Sequence, residues 1–262
     1  MTSAPLVQEL TREAVREVGE RGVVLLPLGA TEQHGPHLPV GTDTLHAEHV
    51  ARAAAARVAR SHPVAVAPAL PYGYSPHHVP LGGTLSVSAD VYVGLLCDLG
   101  ESLAAGGCRR LMLVNGHGGN RELVVVAARE ITRRTGMHVA ACTWWAIAPE
   151  PLHDTAPQAA RVPGHAGAFE TSLVLALRPE LVHGPPERVA DAPTHAWRER
   201  DPGFHHERPI SLAEADGFTD NPSLANAYDG RRALDAGSAA LEQALLAFLR
   251  ESDVAVNLGQ GA

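Results

Sequence analysis

The chain has 262 residues, 45% hydrophobic and 19% charged, which is enough apolar material for a core and too little charge for an intrinsically disordered chain. A formal net charge of -8, with 21 lysines and arginines scattered along the chain, leaves no basic stripe for a phosphate backbone and argues against nucleic acid as a partner. The opening MTSAPLVQELTREAV lacks a basic start followed by an apolar stretch, and no run approaches the roughly 18 apolar residues of a membrane span, so a cytoplasmic protein without a membrane partner is expected.

An amphipathic helix opens the chain. RGVVLLPLG (21–29) is a short apolar run closed by Gly and predicts a buried parallel strand. LHAEHVARAAAARVARS (45–61) predicts an Ala-rich helix, and PVAVAPAL (63–70) a second strand. The Pro-, Gly- and His-rich stretch PYGYSPHHVPLGGT (71–84) predicts a loop long enough to be functional. A helix over 88–107 stops at Gly-Gly; a strand over 109–116, a helix over 121–136 and a strand over 137–147 follow. PGHAGAFETSLVLALRPE (163–180) enters another helix, 179–230 reads as an excursion over the surface or into a subunit contact, and RRALDAGSAALEQALLAFLRES (231–252) closes the chain as a helix. The alternation of strand and helix predicts an α/β fold of three layers, α/β/α, with a mostly parallel sheet, as one domain over 1–262. In such sheets sites lie beyond the carboxyl ends of the strands, so chemistry is expected just after each strand.

The residues at those places are unusual. Aromatics make up only 4% of the chain while histidines number 15, although His62, His138, His183 and His195 stand alone and read as surface or capping residues. Cys97, Cys108 and Cys142 have no CxxC spacing and read as small buried hydrophobes. The first strand runs into TEQHGPHLPVGTD (31–43), placing Glu32, His34 and Asp43 at the sheet edge. Glu32 and His34, two apart in extended chain, leave the same side, and Asp43 could return across the turns to bridge two cations about 3.5–4 Å apart. Carboxylate with imidazole suits zinc or manganese. Asp43 could instead cap the following helix. The third strand ends in NGHGGN (115–120), where His117 is a candidate ligand and Gly118 and Gly119 permit a close approach of ligand to backbone; an anion cradle is the competing reading, without a phosphate motif to support it. In the fourth segment His165 is a candidate proton donor to a leaving nitrogen, and Glu170, in the first helical turn, has helix-start stabilisation as its plain role.

TEQHGPHLPVGTD, NGHGGN and HAGAFETS, in this order and spacing, resemble the creatininase family of metal-dependent amidohydrolases, over roughly residues 21–180. The resemblance implies two divalent ions (zinc, manganese or iron) on Glu32, His34, Asp43 and His117, and substrate binding and proton transfer by a protonated His165. It also implies an aromatic cover over the substrate from Trp144 or Trp145, a substrate-side loop carrying His77 and His78, and a homohexamer. The reaction implied is hydrolysis of a C–N bond in a small-molecule or short-peptide amide. A precursor peptidase of the mycofactocin type, or a non-catalytic metal-binding protein on the same fold, are the alternatives. One departure stands out: creatininase carries a metal-binding Glu two residues after the second-motif His, where this chain has Gly119. Glu170 is then expected to enter the metal shell, whereas Glu122, on the departing helix, is expected to face away.

Overall fold

A computed structural model describes residues 4–147, 149–155, 159, 162–184 and 216–259. Helix α1 (Arg12–Arg21) starts on Thr11, whose hydroxyl accepts from Ala14 N–H, and leads into strand β1 (Val23–Leu28). Then come α2 (Thr42–Val58), β2 (Val64–Val66), α3 (Ala89–Ala105), β3 (Arg110–Asn115), α4 (Arg121–Thr135) and β4 (His138–Thr143). A short α5 (Pro149–Thr155), α6 (Ala168–Leu177) and the long α7 (Ala227–Gly259) complete the described elements. The four strands pair in parallel in the order β2-β1-β3-β4.

Alternation along β1 sorts its side chains into two cores, because successive strand residues face opposite sides. Val23 and Leu25 pack with Val50, Ala51 and Ala54 of α2 and with Leu241 and Leu245 of α7. Val24, Leu26 and Leu28 pack instead with Tyr92 and Leu96 of α3 and Val124 and Ile131 of α4. The result is the expected three-layer α/β/α arrangement. Small alanines at the buried positions of α2 let this helix lie close to the sheet, which sets the depth of its first turn.

Several boundaries differ from expectation. Strand β2 stops at Val66 rather than running to residue 70. Pro68 has no N–H for the ladder, and the missing N–H of Pro27 also falls on the β2 side of β1. Ala67 N–H to Leu25 O at 2.8 Å, and then Leu70 N–H to Pro27 O and Gly29 N–H to Leu70 O, both 2.9 Å, tie the chain back there. Helix α2 begins three residues earlier than expected, with Gly41 at its N-cap position and Asp43 in the first turn. Most of the excursion expected over 179–230, and His195 within it, lie outside the described residues; residues 216–220 return to the site.

The strand order fixes where a site can form. From β1 the chain crosses to β2 on one side and then to β3 on the other, so the connections diverge at the carboxyl ends of β1 and β3. Leu28 pairs with Asn115 there, which brings the segments after both strands side by side.

Candidate metal centre

Glu32, four residues beyond β1, is buried, as are His34, Asp43, His117, His165 and Glu170. His34 and Asp43 come close because α2 packs under the end of β1: His34 Nε2 lies 3.3 Å from Asp43 Oδ1. His117 arrives from β3, with Nδ1 2.9 Å from Asp43 Oδ2 and 3.3 Å from Glu32 Oε1. Glu170 arrives from α6, its Oε2 3.6 Å from His34 Nε2. Among the described residues, the potential ligand atoms of Glu32, Asp43 and His117 lie within 4.8 Å of one another, and so do those of His34, Asp43 and Glu170. The two triads share Asp43. A third grouping joins Glu32, His34 and His165.

The side chains are turned so that lone pairs converge. His34 Nδ1 lies 3.1 Å from Glu32 O, an acceptor, so Nδ1 carries the hydrogen and Nε2 is left for a cation. His117 Nε2 donates to Tyr74 O at 3.0 Å, with Ser75 Oγ also at 3.0 Å, which leaves Nδ1 turned inward. Glu32 Oε2, His34 Nε2 and Asp43 Oδ2 are buried without a hydrogen-bond partner. Buried polar atoms left in this state cost free energy unless another group compensates them, and convergent carboxylate and imidazole donors fit a divalent cation.

Charge pairing supports the same picture. Burial opposes ionisation of Glu32, but His117 and His78 outweigh it and bring its carboxyl down to about 2. Asp43 is held well below the carboxylate range, against the penalty of burial, by His34 and His117. Burial likewise opposes charge on His34, yet Asp43, Glu170 and Glu32 raise it to about 10. Burial opposes charge on His117 too, but Glu32 and Asp43 raise it well above its ordinary value, so these two imidazoles hold protons where cations would otherwise balance the carboxylates. Glu170 is pushed up to about 8, first by burial and then by Asp43 and Glu32.

Asp43 makes no side-chain capping bond at the start of α2; its carboxylate faces the histidines. Glu170 accepts from Ala166 N–H at 2.6 Å while also facing His34, so it serves the turn before α6 and the cluster together. That turn holds Ala166 at φ 49, an uncommon conformation for a residue with a side chain. Glu122 is exposed.

His165 corrects one expectation. Burial, with His34 and His78 nearby, keeps its imidazole well below the ordinary value, so it is neutral in the resting site rather than a protonated donor. Its Nδ1 faces Glu32 Oε1 at 3.7 Å, and its backbone is clamped by Thr219, which accepts from His165 N–H at 2.9 Å. The His78 ring stacks on that of His165 with centroids 4.3 Å apart, and His78 Nε2 is 3.4 Å from Glu32 Oε1. Gln33 ties the two rings together: its Oε1 accepts from Gly35 N–H, and its amide nitrogen lies 2.9 Å from both His78 Nδ1 and His165 Nε2. His77 is half-buried beside His78.

The aromatic and glycine expectations are also revised. Trp144 is a core residue, stacked on Phe169 at 6.2 Å and fully buried, and Trp145 is buried beside it. Neither ring lies open over the cluster, because the end of β4 is covered by α6 and α7. Gly118 has open space around it, but a Cβ on Gly119 would meet Tyr74 O at 2.2 Å and His117 Nε2 at 2.6 Å. The close approach that Gly119 permits is therefore that of the protein's own 71–84 loop. Asn120 holds that loop down, accepting from Tyr74 N–H at 3.0 Å and donating to Gly29 O at 3.1 Å.

His46 and Gln33 did not emerge from sequence reasoning. A weak signal existed for His46, since it follows Asp43 by three residues on a helix and so shares its face.

Comparison with known proteins agrees with this geometry. The sequence profile of a family described as "Creatininase: Creatinine amidohydrolase" matches residues 8–245. A mycofactocin precursor peptide peptidase of Mycobacterium tuberculosis is 35% identical over 223 residues, covering 80% of this chain and 78% of that protein. A creatinine amidohydrolase of Pseudomonas putida is 34% identical over 213 residues, covering 74% of this chain and 78% of that one. A solved structure described as "Creatininase Mn" superposes with a TM-score of 0.70 at 28% identity, over 92% of this chain and 97% of that one.

Proposed function

The chain belongs to the creatininase family, and from that premise we propose that it hydrolyses a C–N bond of a small-molecule or short-peptide amide at two divalent cations, zinc, manganese or iron. The observation that carries this reading is the pair of buried carboxylate and imidazole triads that share Asp43. Glu32, Asp43 and His117 would hold one cation, and His34, Asp43 and Glu170 the other. Bound there, such cations polarise an amide carbonyl and lower the pKa of water toward about 7. The buried walls exclude bulk water, which strengthens every charge interaction inside. His165, neutral at rest, takes a proton at Nδ1 from the attacking water and passes it to the departing nitrogen. Gln33 O, 2.9 Å from His165 Nε2, accepts that nitrogen's hydrogen and so leaves Nδ1 free, and the stacked His78 holds the ring in place.

Creatinine itself is a weaker fit than a peptide. Where creatininase carries a metal-binding Glu, Gly119 lies too close to Tyr74 O for any side chain, so the charge facing the substrate differs. Identity with the peptide peptidase favours a short peptide or its terminal residues. No described helix is long and apolar enough to cross a membrane. The same family resemblance supports a homohexamer, while length, charge and the lack of a long apolar run support single-domain chains acting in the cytoplasm, without nucleic acid or membrane as partner.

The test is metal content together with turnover on cyclic amides, formamides and short peptides. Chelation is expected to abolish hydrolysis and re-addition of metal to restore it; full activity in metal-free protein would sink the mechanism. Bound metal without turnover of any substrate class would favour a non-catalytic protein.

His165→Ala is expected to keep its metal while kcat falls roughly 10²–10⁴-fold, the usual scale for a general acid or base. Loss of a metal equivalent in that variant, measured by elemental analysis, would instead make His165 a ligand through the grouping with Glu32 and His34.

A further inference from the structure

Five histidines, His34, His46, His78, His117 and His165, face the carboxylates of Glu32 and Asp43, and one of them is closed to metal by its own hydrogen bonding. His46 lies on α2, buried, with Nε2 3.5 Å from Asp43 Oδ1. On its other side Nδ1 accepts from Trp144 Nε1–H at 3.0 Å. An indole N–H can only donate, so Nδ1 must keep its lone pair and the ring hydrogen must sit on Nε2. An Nε2 that carries hydrogen cannot ligate a cation. It can donate, and it has no hydrogen-bond partner among the described residues other than the carboxylate it faces.

We infer that His46 is a positioning residue for Asp43, its tautomer set by Trp144. The inference rests on the metal-centre reading above. Asp43 stands in the first turn of α2, where its carboxylate could rotate about Cβ–Cγ. A hydrogen on His46 Nε2 draws Oδ1 to the α2 side, and Oδ2 is then held toward His117 Nδ1, 2.9 Å away. In this orientation Asp43 would present Oδ1 on the His34 side and Oδ2 on the His117 side, so that one residue could serve both triads. Trp144 therefore acts on the cluster at one remove, from the core side, with its ring locked by Phe169.

Two measurements on the full chain test the inference. The first is the tautomer of His46 by ¹⁵N NMR with labelled histidine, assigned with the His46→Leu variant, on both metal-free and metal-loaded protein. The Nε2–H form is expected in each, and its population should fall in Trp144→Phe, which removes the donor together with part of the indole ring. A His46 found with hydrogen on Nδ1 would overturn the inference. The second is affinity for zinc, by competition with a chromophoric chelator. His46→Leu and Trp144→Phe should each weaken binding about 10–100-fold, the usual effect of losing a partner behind a metal ligand, with the number of metals per chain unchanged. His46→Gln, which can still donate toward Asp43, should recover part of the loss. Unchanged affinity in both variants would reduce His46 to a space-filling residue, and loss of a whole metal equivalent would make it a ligand; either overturns the inference. A wild-type chain that binds no divalent cation would sink the metal reading itself, while the tautomer measurement would still decide the His46–Trp144 pairing. If His46→Leu fails to fold, Trp144→Phe carries both measurements.

Discussion

Asp43→Asn is expected to lower hydrolysis by roughly 10²–10³-fold or more, the scale of removing one preorganised electrostatic group, and to leave the chain short of metal in both halves of the cluster. The reason is its position. Asp43 is common to both triads, with Oδ1 beside His34 and Oδ2 beside His117. An amide keeps the shape and one acceptor but presents a donor where a second lone pair is needed and removes the charge that balances two imidazoles. Metal analysis and kcat on the same preparation check the result. A folded variant with wild-type metal content would return Asp43 to an ordinary residue at the start of α2.

Glu170→Gln is expected to reduce bound metal from two equivalents to one and to reduce turnover with it. This substitution separates two roles that wild-type Glu170 combines. Glutamine can still accept from Ala166 N–H, so the turn before α6 keeps its hydrogen bond, while the charge facing His34 is lost. The metal-free protein should respond in the opposite sense. Burial and then Asp43 raise the Glu170 carboxyl from 4.5 to about 8. A group whose folded value is raised contributes stability that is complete below about 4.5 and lost as pH rises through about 8. Near pH 7 the metal-free variant should therefore be no less stable than wild type, and it should lack that pH dependence in thermal unfolding. If the variant keeps both metals and loses only stability, Glu170 is a helix-start residue and the second triad is wrongly composed.

The location of the cluster follows from topology more than from any one motif. Connections leave β1 in both directions across the sheet, and the crevice between the ends of β1 and β3 receives Glu32 from one and His117 from the other. Helix α2 supplies Asp43 and His46, while α6 supplies Glu170. The segment 216–220 braces His165, through Thr219, and the start of α6, where Asp220 Oδ1 accepts from Ala168 N–H at 2.9 Å.

The order of strands and helices, the sheet-edge position of TEQHGPHLPVGTD and NGHGGN, and the chemical class of the donors were determined by the sequence alone, because each follows from local periodicity and from residue type. What lay beyond it were relations between segments far apart in the chain. Whether Asp43 caps α2 or faces His117, 74 positions later, depends on how deeply an Ala-rich helix settles under β1. Whether Glu170 joins His34 depends on where α6 docks. Gly119 read as a place for substrate to approach, and only the packed 71–84 loop showed that Tyr74 takes that space. Trp144 read as a substrate cover, and only the layer formed by α6 and α7 made it core. The neutral state of His165 likewise arises from burial and from neighbours supplied by two other segments, and no local pattern encodes those. Residue type sets what a side chain can donate or accept; the tertiary packing decides which partners it meets and how much water remains between them.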